Sequence, residues 1–290
     1  MSLYLQTALS SALTGGLYGL MAIGLSLSWG LLRLANIAYF GMIALAAYVT
    51  YSLSQNHGFD PLLTVAVTIP LFFLVAVTIQ TLFTRFALVG FQGMVATFGL
   101  YTAIVAIIQL IWTADYRQID AAHNSYLLSS WFIGRYALRL PLVIAFALST
   151  ATVIALEFTL RRTRFGKAMR AIGHDRQIAG AFGVSYARIA ALIAGIVGGT
   201  AAISGTLVSM STSISPNIAF AWFGTVFVAV VIGGPGNVLF VFIAAIVLTV
   251  LSDLAGLVFN DLGYAPLVTF VLLLAMLLIR PQGLSKVISE

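Results

Sequence analysis

Residues 238–258 read Val238-Leu239-Phe240-Val241-Phe242-Ile243-Ala244-Ala245-Ile246-Val247-Leu248-Thr249-Val250-Leu251-Ser252-Asp253-Leu254-Ala255-Gly256-Leu257-Val258. A single carboxylate apart, the stretch carries no charge over the roughly 20 residues that a helix needs to cross a bilayer. Backbone N–H and C=O groups in hydrocarbon must be paired within the segment, so this run is expected to be a helix. By the same rule, further spans are expected near 8–31, 36–54, 62–83, 93–113, 140–160, 188–210, 219–232 and 264–280. The stretch 219–232 is short, and Trp222, Phe223 and Gly224 blur its ends, so eight or nine crossings are expected. The fold class is an all-α integral membrane protein, a polytopic helical bundle formed by one domain over 1–290.

Composition points the same way. Of 290 residues, 61% are apolar and only 8% charged, whereas soluble domains carry about a quarter charged residues. So few charges could not cover the outside of a soluble fold, and lipid must solvate much of the surface. The net charge of +6 does not mark a nucleic-acid binder, because the basic residues flank apolar spans rather than forming a basic face. The absence of cysteine excludes disulfides and thiolate metal sites, and His57, His123 and His174 have no metal-ligand spacing. Met1 to Gln6 carries no Lys or Arg, so the first apolar stretch is expected to be a span rather than a cleavable signal.

With the 161–187 loop inside, eleven basic residues lie at cytoplasmic ends, and only Arg117, Arg135 and Arg139 lie outside. The positive-inside rule then places the N-terminus outside and the C-terminus in the cytoplasm, which agrees with nine crossings. An internal echo suggests an inverted repeat. Asn36-Ile37-Ala38-Tyr39 and Asn217-Ile218-Ala219-Phe220 open two spans, and Gly15-Gly16 and Gly198-Gly199 precede them, at offsets of 181 and 183 residues. The copies are five spans apart and would enter the membrane from opposite sides, an arrangement that puts a substrate path at the repeat interface. Chance recurrence of short apolar words is the alternative.

Polar groups inside spans are candidates for that path. Asp253 either lines it, joins two helices, or reaches water at the outer edge, since an acid in hydrocarbon needs a reason. Asn36 and Asn217 stand at expected helix starts, where an amide can pair with freed backbone groups. Gln80, Gln109 and Thr97 either line the path or bond between helices. Glu157, four residues before Arg161, is expected to form a helical ion pair.

The loop 161–187 is the most informative segment. Seven of the 14 Lys and Arg lie in residues 161–188, more than topology requires. Gly166, Ala168, Arg170, Ala171, Asp175, Ala179 and Gly183 punctuate it, and its small residues would let another surface approach closely. With Asp175 as an N-cap and Gly183 as the C′ residue, two short helices broken near Gly173 are expected. The bland reading is a basic topology anchor that meets anionic lipid.

The stretch Arg161-Arg162-Thr163-Arg164-Phe165-Gly166-Lys167-Ala168-Met169-Arg170-Ala171, followed by Asp175, Ala179 and Gly183, resembles the coupling loop of branched-chain amino acid ABC transporter permeases of the LivH type. Asn36-Ile37-Ala38 with Ala47-Tyr48, Gly233-Gly234-Pro235-Gly236-Asn237 and Arg280-Pro281-Gln282-Gly283-Leu284 resemble further motifs of that family, in order along most of the chain. Tyr39 and Phe40 stand where the family shows His and Gly, which bears on the path, so Tyr39 joins Asn36, Asn217 and Asp253 as a candidate path residue. Gly173-His174 also departs from the family pattern.

The resemblance implies a permease subunit in the bacterial inner membrane that imports branched-chain or hydrophobic amino acids by alternating access. It implies cytoplasmic ABC ATPase subunits as partners, a second permease subunit (LivM-like, or a second copy) and a periplasmic solute-binding protein. ATP and magnesium would be held by the ATPase subunits and no cofactor by this chain, which has no Gly-x-x-x-x-Gly-Lys-Ser/Thr loop. Urea or short amides are alternative substrates within the family, and an ATP-independent secondary transporter is the rival from another class. No paired-carboxylate site, Gly-x-Ser-x-Gly elbow or His-Glu-x-x-His motif points to an enzyme.

Overall fold

A computed structural model describes residues 2–88, 90–133, 136–174, 176–259 and 264–279. Helices occupy each of the nine apolar stretches: α1 (Ser2–Leu32), α2 (Ala38–His57), α3 (Val65–Arg85), α4 (Gly90–Trp112), α5 (Leu140–Arg162), α8 (Tyr186–Ser211), α9 (Ile218–Gly233), α10 (Val238–Val258) and α11 (Tyr264–Ile279). Two short helices, α6 (Arg164–His174) and α7 (Arg176–Ala181), lie in the basic loop. A hairpin of β1 (Ser130–Ile133) and β2 (Tyr136–Arg139) precedes α5.

Among the described residues, α1, α3, α4, α5, α8 and α10 are long and apolar enough to cross a membrane, and α9 is a shorter apolar helix. The protein is a polytopic helical membrane protein. The helices α3, α4 and α5 bury only a narrow stripe. On α3 the stripe is Thr68, Phe72, Ala76 and Gln80, and on α5 it is Pro141, Ala145, Ser149, Val153 and Leu160. Their other faces expose Leu71, Leu74, Leu82, Phe98, Ile154 and Phe158. An amphipathic helix in water would turn polar residues outward, so these apolar outer faces are built for lipid.

The helices α1, α2 and α8 form the interior, buried on nearly all sides. This explains why α2, with Tyr48, Thr50, Ser52, Ser54 and Gln55, is the most polar of the long helices. A helix surrounded by protein need not dissolve in lipid. Two of its hydroxyls pair with neighbours: Thr50 Oγ1 lies 2.9 Å from Thr206 Oγ1 of α8, and Trp112 Nε1 donates to Ser52 Oγ at 2.7 Å, while the Tyr48 and Ser54 hydroxyls are buried without a hydrogen-bond partner among the described residues.

The most extensive helix pairings are α1 with α10 and α3 with α8. Both rest on glycines. A Cβ on Gly15 would stand 2.7 Å from the Ile246 Cα of α10, and one on Gly198 would overlap the Phe72 carbonyl of α3. Small residues of this kind let helix backbones approach closely in a membrane.

The connections gather at two ends of the bundle. At one end, Gly236 N between α9 and α10 donates to Ser26 O of α1 at 3.1 Å, and Arg33 beyond α1 reaches the end of α6. At the other, Tyr126 donates to Asp60 at 2.9 Å and Gln55 to Asp120 at 2.5 Å, joining the α4–α5 segment to α2 and the α2–α3 turn. Asn124 donates to Met210 O at 2.9 Å, and Arg117 pairs with Ile214, tying the same segment to the end of α8. The hydrogen bond to the Asp60 carboxylate, reinforced by partial burial, raises the Tyr126 phenol above its ordinary pKa.

Candidate functional site

The break between α1 and α2 is the first candidate. Helix α1 ends at Leu32, and Arg33 adopts a left-handed φ of 55°, which lets Leu34 N reach back to Ser28 O at 3.4 Å. The freed backbone groups find hydroxyl partners. Ser28 Oγ donates to Leu34 O at 2.9 Å, and Ile37 N donates to Thr97 Oγ1 of α4 at 3.3 Å. Asn36 was expected to do this work, but its Oδ1 is buried without a hydrogen-bond partner among the described residues. It faces a cavity of about 10 Å³ shared with Ser28, Met42, Ala76, Gln80 and Val197, about the space of one water molecule. Gln80, named from sequence as a possible lining residue, is there; Thr97 bonds between helices.

One turn further, Tyr39 is fully buried where α1, α2 and α8 cross. Its hydroxyl lies 3.3 Å from Thr200 Oγ1 of α8, and its ring occupies the space that a side chain at Gly24 of α1 would need. Phe40 turns the other way and meets Phe223 of α9 edge-on, with centroids 5.4 Å apart. Phe223 stacks on Phe227, which stacks on Trp29 of α1, so an aromatic column joins α2, α9 and α1. Sequence reading did not find the column. Phe220, Phe223 and Phe227 follow a helical spacing, yet only the fold supplies their partners.

The other two candidate path residues lie elsewhere. Asn217 precedes α9 at the opposite end of the bundle, exposed, and its side chain makes no cap hydrogen bond. Asp253 accepts a 2.5 Å hydrogen bond from Ser11 Oγ and so joins α10 to α1. Of the readings open for Asp253, the structure displays the helix-joining one. The four candidates therefore do not form one site: Asn36 and Tyr39 are neighbours, and Asn217 and Asp253 stand apart from them.

The second candidate is the loop between α5 and α8. Thr163 Oγ1 accepts from Gly166 N at 3.0 Å and so caps the start of α6. Sequence reading missed this cap, although a threonine three residues before Gly166 is its signature. Met169 and Ile172 turn inward and are nearly fully buried, Ala168 is half-buried, and Lys167, Arg170 and Ala171 face out. Gly166 is buried too: a Cβ there would overlap the Thr159 and Leu160 carbonyls at the end of α5. Asp175 lies outside the described residues.

Helix α7 closes as expected at Gly183, whose φ is +80°. Gly183 N bonds Gly180 O at 2.9 Å and Val184 N bonds Ala179 O at 3.1 Å, the paired bonds of a Schellman turn. Ala179 is buried, while Ile178 and Phe182 are exposed, Phe182 by 84%. The outer face of the two helices and the turn after α7 thus carries Lys167, Ala171, Ile178 and Phe182, with Arg170 at its edge toward α5, a cationic rim beside small and apolar side chains.

The loop is tied to the broken helix. Arg33 Nη2 donates to Gly173 O at 3.2 Å, placing a cation on the last turn of α6. Below it Gly173 packs on Leu31 and Gly30, and Gly30 in turn leaves no room for a side chain against Gly236 of the α9–α10 turn. On the remaining flank, Glu157 and Arg161 form the expected ion pair.

A bundle with lipid-compatible outer faces, an interior of small and hydroxyl-bearing residues and a cationic helix pair at one end defines a multi-pass membrane protein. A family model described as "Branched-chain amino acid transport system / permease component" matches residues 7–279, and the chain belongs to that family. It is therefore a non-catalytic transmembrane subunit, and membership implies an ABC transporter complex.

The chain is 24% identical over 293 residues to the high-affinity branched-chain amino acid transport system permease protein LivH of Salmonella typhimurium and to that of Escherichia coli K12. It is 23% identical over 300 residues to the permease protein BraD of Pseudomonas aeruginosa. Each alignment covers 97% of this chain and 95% of the relative. No solved structure matches the chain.

Proposed function

We propose that this chain is the membrane-spanning subunit of an ATP-driven importer for branched-chain or other hydrophobic amino acids, seated in the bacterial inner membrane. The observation that carries this reading is the α6–α7 pair. Its outer face is small, apolar and cationic, and its inner face is fastened through Gly173 to the corner where α1 breaks. In this reading the pair docks on a cytoplasmic ATPase subunit, which holds ATP and magnesium. A second permease subunit, LivM-like or another copy, engages the second ATPase, and a periplasmic binding protein delivers the solute to the opposite end.

Nine crossings put the N-terminus outside and the basic end of the bundle in the cytoplasm, as the positive-inside rule favours. The glycine-based pairings α1–α10 and α8–α3 are what an inverted repeat would produce, since the repeat relates α1 to α8 and α3 to α10. The α1–α2 break holds room for about one water, so a solute passes only when the helices around it part. Movement of α6 pulls on Arg33 and Leu31 and so reaches that break. The apolar lining of Met42, Ala76 and Val197, with Asn36 and Gln80 as polar points, suits a small solute with an apolar side chain.

The test is uptake into proteoliposomes holding the complex purified from native membranes, with ATP supplied on the ATPase side. Leucine or valine accumulation that requires both ATP and the binding protein supports the reading. Accumulation by this chain alone, driven by an ion gradient, would overturn it.

A further inference from the structure

Beside α6, on the same end of the bundle, lies a cavity of about 440 Å³. Its walls are Leu31 of α1, Glu157, Leu160 and Arg161 of α5, Arg170 of α6 and Asn237 at the start of α10. The charges do not balance: two guanidinium groups face one carboxylate. Glu157 pairs with the Arg161 Nε, which leaves the terminal nitrogens of Arg161 available. Among the described residues Arg170 has neither a hydrogen bond nor an ion pair. The Asn237 oxygen accepts from Phe240 N at 3.4 Å, so its NH2 group remains as a further donor.

The cavity also has a defined relation to lipid. Helices α5 and α10 touch further along, where Phe146 and Phe242 lie 6.3 Å apart between centroids, and the basic-end termini of both helices line the cavity. Both helices carry exposed apolar side chains along their length, Ile154 and Phe158 on α5 and Ile243 and Val247 on α10. A lipid lying against these faces would bring its headgroup to the level of the two arginines. A volume of this order suits a headgroup-sized ligand, and basic pockets between helices at the cytoplasmic surface are where anionic headgroups bind.

We infer that this cavity is a binding site for a phosphate-bearing anion, gripped by Arg161 and Arg170, with a lipid headgroup or a free phosphate compound as the two possible sources. Because Arg161 belongs to α5 and Arg170 to α6, an anion held by both fastens α6 to the lipid-facing wall. The inference shares with the proposed function only the cytoplasmic placement of this end. It is tested on the purified chain without transport, so the two fail separately.

The experiment titrates the detergent-purified full chain with short-chain phosphatidylglycerol, phosphatidylcholine of the same chain length, and inorganic phosphate, reading affinity and thermal unfolding. Phosphatidylglycerol is expected to bind and raise the unfolding temperature, and phosphatidylcholine is not. If inorganic phosphate does the same as phosphatidylglycerol, the source is a free anion; if it does not, the source is lipid. Arg161→Gln and Arg170→Gln are each expected to weaken binding roughly fivefold. Glu157→Gln should tighten it, and the exposed Arg162→Gln, outside the cavity, should leave it unchanged. Equal response to both lipids, or a loss in Arg162→Gln as large as in the two cavity variants, would overturn the site. Since Glu157→Gln is expected to gain affinity, a general folding defect cannot imitate the whole pattern.

Discussion

Arg33, two residues short of the sequence Ala35-Asn36 that leads into α2, donates a hydrogen bond to the carbonyl of Gly173 in the last turn of α6. The two residues are separated by 140 positions, yet this contact joins the basic loop to the α1–α2 break at the same end of the bundle. A cation at a helix C-terminus contributes about 0.3–1 kcal/mol at an exposed site. Arg33→Ala is therefore expected to leave the amount of membrane-inserted protein unchanged and to lower ATP-driven uptake about two- to fivefold. Arg33→Lys should recover part of it, since an ammonium can still donate. Uptake per mole of protein in proteoliposomes checks both.

Ala171 and Gly166 both resemble family coupling-loop positions, but they are expected to fail differently. Ala171 is exposed on α6, so Ala171→Trp should insert and purify normally while uptake is lost. Gly166 is buried against the Thr159 and Leu160 carbonyls, so Gly166→Leu must displace α6 from α5 and should reduce the level of folded protein as well. Comparing protein level with uptake separates the two.

Tyr39 fills the crossing of α1, α2 and α8. Tyr39→Phe removes only the hydroxyl contact with Thr200 and is expected to cost about 0.6 kcal/mol, the usual scale for such a bond inside a membrane protein. Tyr39→Ala empties the site and should cost about 3–5 kcal/mol. Gly24→Leu, which intrudes on the same ring, should be at least as damaging. Unfolding in a graded detergent series reads all three.

Asp253 separates two classes of transporter. Bound to Ser11, it joins α1 and α10, and Asp253→Asn is expected to lower stability by about 1–2 kcal/mol while ATP-driven uptake persists. Loss of an ion-driven transport activity in this variant would instead make Asp253 a coupling-ion residue.

The helices were legible because a bilayer converts a chemical pattern into a length: an apolar run of the right size has little choice but to be a helix. Even α2 was legible as the run 36–54, although Tyr48 and Ser52 make it polar, because Asn36 marks its start and most of the run is apolar. The loop pattern also carried its own punctuation, and Gly183 closes α7 as its position implied. What the sequence withheld is contact across the bundle. Nothing local to Asn36 says that Ser28 and Thr97, rather than Asn36 itself, satisfy the broken backbone. Ser11 and Asp253 are 242 residues apart, and only the close approach of α1 and α10 at Gly15 brings them together. The partners of Tyr39, Gly24 and Thr200, belong to other helices and could not be named from the sequence.

In the proposed importer the α6–α7 face docks on an ATPase. Purification of the tagged chain in detergent from its native membranes, with mass spectrometry of what accompanies it, tests this most directly, run in parallel on the Ala171→Trp variant. The expected result is a P-loop ATPase in stoichiometric amount with the wild-type chain, beside a second permease subunit or a second copy, and loss of the ATPase alone from the variant. A wild-type chain that purifies without any ATPase, or an ATPase held equally well by the variant, would contradict it.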